Sequence, residues 1–223
     1  MELLFIPLVI AVIVGGIIFS FIAAKKRREA MAGLATRLGL RFTPTNDYDL
    51  AERYEFLDAL ATGSNRYAYN VISGNHQGNE VLIFDYHYET YSTDSKGNRT
   101  THHHYFSFFI LRLPQRFPEL RITREGLFSK IAQAFGYKDI NFESAEFSRA
   151  FCVRSPDKKF AYDVCHPRMM EYLLANRDLS IEVEADSLAL AFGKCLDVQE
   201  IEFNLERLVH IRSQFPEYLF NQG

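Results

Sequence analysis

Three consecutive histidines, His102, His103 and His104, lie in a stretch rich in Tyr, Phe and Thr, and His87 with Glu89 precedes them. Imidazole nitrogens and a carboxylate are the ligands that zinc takes from a protein. In a strand, successive side chains alternate between faces, so His102 and His104 share one face and His103 takes the other. If the two strands fold symmetrically about the polar STDSKGN segment, Tyr91 pairs with Thr100. His87 then opposes His104 and Glu89 opposes His102, with cross-strand neighbours ~4.5–5.5 Å apart. That places His87, Glu89, His102 and His104 together as a candidate metal site. A slip of one residue sends His87 and Glu89 to the opposite face. Without metal, the same segment is an exposed hairpin tip, with Tyr86, Tyr88, Tyr91, His103 and Tyr105 as a contact surface.

Other residues with reactive side chains have simpler readings. Cys165 and His166 are adjacent, and adjacent side chains diverge, so they do not form a nucleophile–base pair by spacing. Cys152, Cys165 and Cys195 read as small buried apolar residues. Glu143 and Glu146 flank Ser144 at a helix start, where carboxylates serve as caps. Asp85 stands inside an apolar strand and needs a partner if it is buried. No phosphate-binding glycine loop is present. No catalytic residue is assigned, and no cofactor is expected apart from zinc at the histidines.

The elements that carry these residues follow an uncharged stretch, Leu3 to Ala24, closed by Lys25-Lys26-Arg27-Arg28. Its 22 residues reach about 33 Å as a helix, enough for a bilayer core of ~30 Å. The chain begins Met1-Glu2 and its positive charge comes after the apolar run, unlike a cleaved secretory signal. Cations beside a span stay on the cytoplasmic side. The expectation is a single-pass inner (plasma) membrane protein, N-terminus outside, with residues 3–24 in lipid and residues 29–223 in the cytoplasm. Three cysteines with no pairing pattern agree with a reducing compartment. Gly15, Gly16 and Ser20, with Ala11 and Ala24, recur at four-residue spacing. That spacing suits close packing of two helices, and is also how small residues commonly fall in membrane helices.

Of 223 residues, 48% are hydrophobic and 14% aromatic, a composition that supports a packed core. Residues 1–28 hold four cations and one acid (+3), so the net charge of −3 leaves −6 on residues 29–223. An acidic domain excludes nucleic acid as the natural partner.

Helical spacing continues from Lys25 to Leu38 and stops at Gly39, followed by a short strand, Leu40–Thr43, and a helix capped by Asp47 or Asp49. Arg66–Ser73, Glu80–Tyr91 and Thr100–Leu113 alternate as three strands of an antiparallel meander. Both faces of the central hairpin are apolar near its base, so both need cover. The second half supplies it: strand Leu120–Thr123, helix Glu125–Phe135, a helical turn from Ser144, strand Phe151–Arg154 and a helix opened by His166-Pro167. A strand pair, Leu179–Ala185 and Ser187–Phe192, and a final helix, Val198–Phe215, complete the chain. The fold class is α+β: an N-terminal transmembrane helix, then an antiparallel-sheet domain covered by helices. The division is an anchor, residues 1–28, and a domain, residues 29–223, with lobes meeting at 113/114.

The segments PQRFPEL (114–120), FESAEFSRAF (142–151) and YDVCHPRMMEYL (162–173), with the FDYHYET and TTHHHYFSF strands, resemble a family of uncharacterised prokaryotic membrane-anchored proteins. The resemblance covers most of residues 30–215 and implies a fold type and a location, with no activity to carry over. The function expected is a membrane-anchored cytoplasmic interaction or assembly module, engaging a protein partner or a second copy of itself. The alternative is a membrane-tethered metal-binding protein or metal-dependent enzyme built on the four-residue hairpin site.

Overall fold

The computed structural model describes the backbone of residues 2–124 and 138–221, with side chains from residue 13 onward in that range. Helix α1 runs unbroken from Glu2 to Leu38. Residues 13–26 are exposed on every side, whereas Met31, Leu34 and Ala35 are buried in the core. Gly39, with φ +69°, ends the helix: its N–H bonds Thr36 O, and Leu40 N–H bonds Ala35 O at 2.8 Å. Among the described residues no helix is long and apolar enough to cross a membrane. Residues 3–12 of the expected span lie outside the described side chains, and residues 13–24 alone reach only about 18 Å.

Strand β1 (Arg41–Thr43) pairs with β2 (Ser64–His76). Between them sit α2 (Tyr48–Arg53), capped by Asp47, and α3 (Asp58–Ala61), two short helices where the sequence suggested one. Strand β3 (Asn79–Thr93) and β4 (Arg99–Arg124) complete the expected antiparallel meander. The chain continues with α4 (Ala145–Ala150), β5 (Phe151–Arg154), α5 (Lys158–Val164), α6 (Pro167–Ala175), β6 (Ile181–Ala191) and α7 (Val198–Ser213). The sheet order is β1-β2-β3-β4-β5, and β6 also pairs with β4. The helix expected over Glu125–Phe135 lies outside the described residues.

Two strand expectations change. The segment Leu120–Thr123 is the end of β4, which passes Pro114, Pro118 and the 113/114 position without a break. Residues 181–191 form one strand and not two. β4 and β6 bend together: Arg112 pairs with Ser187 and Phe117 with Ala185, which has φ +52°. The bend curls β6 enough that Ala191 N–H reaches Ser180 O at 3.2 Å.

The sheet is covered on both faces. The β3 face bearing Val81 and Ile83 packs with Phe109 and Leu111 against α1 and α4 to α7. The face bearing Phe84 and Tyr86 packs with Phe106, Phe108 and Ile110 against Leu50, Leu57 and Leu60 of the α2–α3 segment. The direction of β3 relative to α1 follows from contacts along the first face. Leu40, just past the end of α1, lies at Gly74, which pairs with Val81, while Arg27 reaches Asp85. The far end of the β3–β4 hairpin therefore points toward the N-terminal half of α1.

Candidate functional site

The loop closing β3 and β4 decides which residues meet. Asp94 Oδ1 accepts from Lys96 N–H and Asn98 N–H, both at 2.8 Å, and Gly97 takes φ +86°. This is a turn with a glycine bulge, so five residues separate the last pair, Thr93 and Arg99. An odd loop shifts the register by one from the symmetric arrangement. Tyr91 pairs with Thr101 and not with Thr100, Glu89 with His103, and His87 with Tyr105.

The four-residue grouping His87, Glu89, His102 and His104 is therefore split between faces. His104 stacks on Tyr88 at 4.5 Å and bonds Thr90 Oγ1 at 2.8 Å, and His102 bonds Ser92 Oγ at 2.8 Å. His103, assigned to the contact surface, instead joins His87 and Glu89, and their donor atoms all lie within 4.8 Å of one another. His87 Nε2 is 3.1 Å from His103 Nδ1, and His103 Nδ1 is 3.5 Å from Glu89 Oε1.

Two bulges in β2 support this face. Asn65 and Asn70 both have positive φ, a conformation that asparagine tolerates better than most residues. Asn65 supplies its backbone carbonyl to His87 Nδ1 at 3.1 Å and its side-chain amide to Glu89 Oε1 at 2.6 Å. A carbonyl only accepts, so His87 carries its proton on Nδ1 and presents the Nε2 lone pair to the cluster. Tyr91 OH donates to Glu89 Oε2 at 2.9 Å. Tyr67 stacks on His87 at 4.6 Å, and Tyr105 leans on it from the other side at 4.8 Å. Burial holds His87 below the ordinary imidazole range, and the bonds from Asn65 and Tyr91 hold Glu89 below the ordinary carboxylate range. At neutral pH the pair is a neutral imidazole beside a carboxylate.

One step toward the core on the same face lies Asp85, fully buried. Its partner is Arg27 of the basic cluster, whose Nε and Nη2 donate to the two carboxylate oxygens at 2.7 and 2.6 Å. Asn70 Nδ2 and Ser107 Oγ also donate to the carboxylate, at 3.0 and 3.1 Å. Arg27 Nη1 also donates to Leu196 O at 2.7 Å. Of the four cations after the apolar stretch, Lys25, Lys26 and Arg28 are exposed and Arg27 is built into the fold. Sequence reasoning assigned Arg27 to topology alone. The signal that could have found it was Asp85, a charge in an apolar strand.

The remaining candidates separate cleanly. Tyr91, His103 and Tyr105 are exposed on the hairpin. Tyr88 is half-buried, and Tyr86 is a core residue whose OH donates to Leu60 O at 2.7 Å, so it leaves the contact set. Cys165 is buried among apolar residues, which pushes its thiol up, while His166 turns away to cap α6, its Nδ1 accepting from Met169 N–H. Cys195, beside Tyr69, is pushed up to about 11 by burial and by the Asp85 charge. Glu146 pairs with Arg177 on the surface at 2.6 Å. A Cβ placed on Gly15 or Gly16 meets nothing within the chain, and Ser20 is exposed beside them.

No protein-family model and no curated protein matches this chain. Its fold is similar to the solved structure of the mycobacterial trehalose monomycolate transport factor A, TtfA. The TM-score is 0.56 at 16% identity, over 86% of this chain and 92% of that one. At that identity the likeness shows a shared α+β fold and nothing finer.

Proposed function

We propose that the chain is a single-pass inner-membrane protein whose cytoplasmic domain serves as an interaction or assembly module, docking a partner that itself lies at the membrane surface. The observation that carries this reading is the continuity of α1. One helix leaves an apolar, all-round exposed segment and enters the core, and Arg27 fastens it to Asp85. Exposed Ile13, Val14, Ile17, Phe19 and Phe21 make a patch that water does not favour and lipid does. Lys25, Lys26 and Arg28 follow on the cytoplasmic side. From Ala24 to Arg27 the helix rises only about 4.5 Å, so the domain has no flexible spacer.

Rigid mounting is what a positioning module needs. The hairpin bearing Tyr91, His103 and Tyr105 projects toward the anchor, where another membrane-bound protein would meet it. Tyrosines give large contact area at low entropic cost and are favoured in such surfaces. TtfA, whose fold this chain shares, is a transport factor, which fits a supporting role in a membrane process.

The test is extraction of the full-length protein from its own membrane in mild detergent, followed by sizing of wild type and of Tyr91→Ala/Tyr105→Ala. A complex of defined mass that collapses in the variant is the expected result. A wild type that travels as a bare monomer, or a complex indifferent to both tyrosines, would sink the reading.

A further inference from the structure

The geometry points to a three-ligand site for a divalent transition metal of the zinc type, formed by His87 Nε2, His103 Nδ1 and Glu89 Oε1. In tetrahedral coordination with bonds of about 2.0–2.1 Å, neighbouring donor atoms stand about 3.3–3.4 Å apart. The separations here are 3.1 Å between the two nitrogens and 3.5 Å between His103 and Glu89. Both of these separations match edges of a coordination polyhedron, and all three donor atoms lie within 4.8 Å of one another.

The surroundings are those of a ligand set. Ligating histidines characteristically give their other N–H to a carbonyl or carboxylate, which fixes tautomer and ring orientation. Asn65 O does this for His87, and Asn65 Nδ2 and Tyr91 OH orient the carboxylate. Tyr67 and Tyr105 hold the His87 ring between them. His87 is buried while the His103 side chain is half-exposed, so two anchored ligands meet one at the solvent boundary. Two imidazoles and one carboxylate leave a fourth position for water, the arrangement found in open zinc sites. The site shares His103, Tyr91 and Tyr105 with the docking surface, but metal titration reads it in the absence of any protein partner, so the two readings fail separately.

Full-length protein in detergent, stripped with chelator, is titrated with Zn²⁺, and separately with Co²⁺ while visible absorption is recorded. One equivalent of Zn²⁺ should bind at micromolar or lower concentration, and Co²⁺ should give the intense bands of four-coordinate geometry. Affinity should fall about 100-fold in His103→Ala and in Glu89→Gln. It should be unchanged in His102→Ala and His104→Ala, whose side chains face the other way. The His103 side chain is half-exposed and Glu89→Gln keeps the shape of the residue it replaces, so melting curves of these variants should match wild type and separate ligand loss from misfolding. Absence of binding by wild type overturns the site. So does equal loss in His102→Ala, which would mean adventitious capture by the histidine run.

Discussion

The guanidinium of Arg27, in α1, closes on the carboxylate of Asp85 in the middle of β3 through two bonds of 2.6 and 2.7 Å. Asp85 has no exposed surface, so without Arg27 it is a buried charge left with neutral partners, Asn70 and Ser107 among them. Removing one partner of such a pair costs about 3–5 kcal/mol. Arg27→Ala should therefore lower the melting temperature of the full-length protein in detergent by about 10 °C. Arg27→Met combined with Asp85→Leu should recover most of that loss. A single variant that melts with wild type would show that the pair does not hold the helix to the sheet.

Gly63 enters β2 beneath the site with φ +77°, and a Cβ there would stand 2.4 Å from Glu89 O and 2.6 Å from Tyr88 Cδ2. Gly97, in the hairpin loop, has φ +86° but open space around it. The two glycines share a backbone demand and differ in crowding. Gly97→Ala should cost about 1 kcal/mol, from conformation alone. Gly63→Ala should cost about 3 kcal/mol, and should also shift the backbone amide signals of Tyr88 and Glu89 in spectra of the labelled protein. Equal losses in the two variants would mean that β2 yields at Gly63 and the close approach is not needed.

Glu182 makes the fold sensitive to pH. It is buried against Arg121, which also faces Asp58 and Glu119, and its Oε1 accepts from Asp58 N–H at 2.8 Å. One guanidinium cannot balance these acids together with nearby Glu184, and burial pushes Glu182 up to about 8. The folded protein then holds a proton that the unfolded chain, ionising near the ordinary Glu value, has given up. Stability falls as pH rises between those two values, by at most about 1.4 kcal/mol per unit. Melting temperatures at pH 5, 6.5 and 8 should decline more for wild type than for Glu182→Gln. Parallel declines would show that Glu182 is ionised throughout.

What the sequence made legible was local. Helix caps at Asp47 and Ser144, proline after His166 and the Gly39 stop depend on neighbouring residues and appear where expected. Helix α5 escaped notice although Asp157 caps it, accepting from Phe160 N–H at 3.0 Å, because seven residues carry too little periodicity. The expected strands ended at Leu113 and resumed at Leu120, yet β4 runs on through Pro114 and Pro118 past its bend. The register was the decisive failure. Whether the loop holds an even or an odd number of residues turns on the glycine bulge at Gly97, and that single residue exchanged His103 for His102 and His104 beside His87 and Glu89, whereas Tyr86 is in the core because the α2–α3 segment covers its face. Arg27 was illegible for a different reason: a cation beside an apolar run already has an explanation, so its contact across the fold leaves no local trace.

In a bilayer occupied by residues 3–24 as proposed, the fixed Arg27–Asp85 junction dictates posture. Beyond Asp85 the hairpin extends eight residues to Thr93, about 26 Å, while α1 allows only about 4.5 Å before Ala24 enters the hydrocarbon. The tip, with Asp94, Lys96, Asn98 and Arg99, is too polar to follow the helix inward. A hairpin longer than its stand-off has one course left, which is to recline along the headgroups. On that proposed anchoring the hairpin would lie along the headgroups, and a change in anchor tilt would raise or lower its tip against the lipid surface.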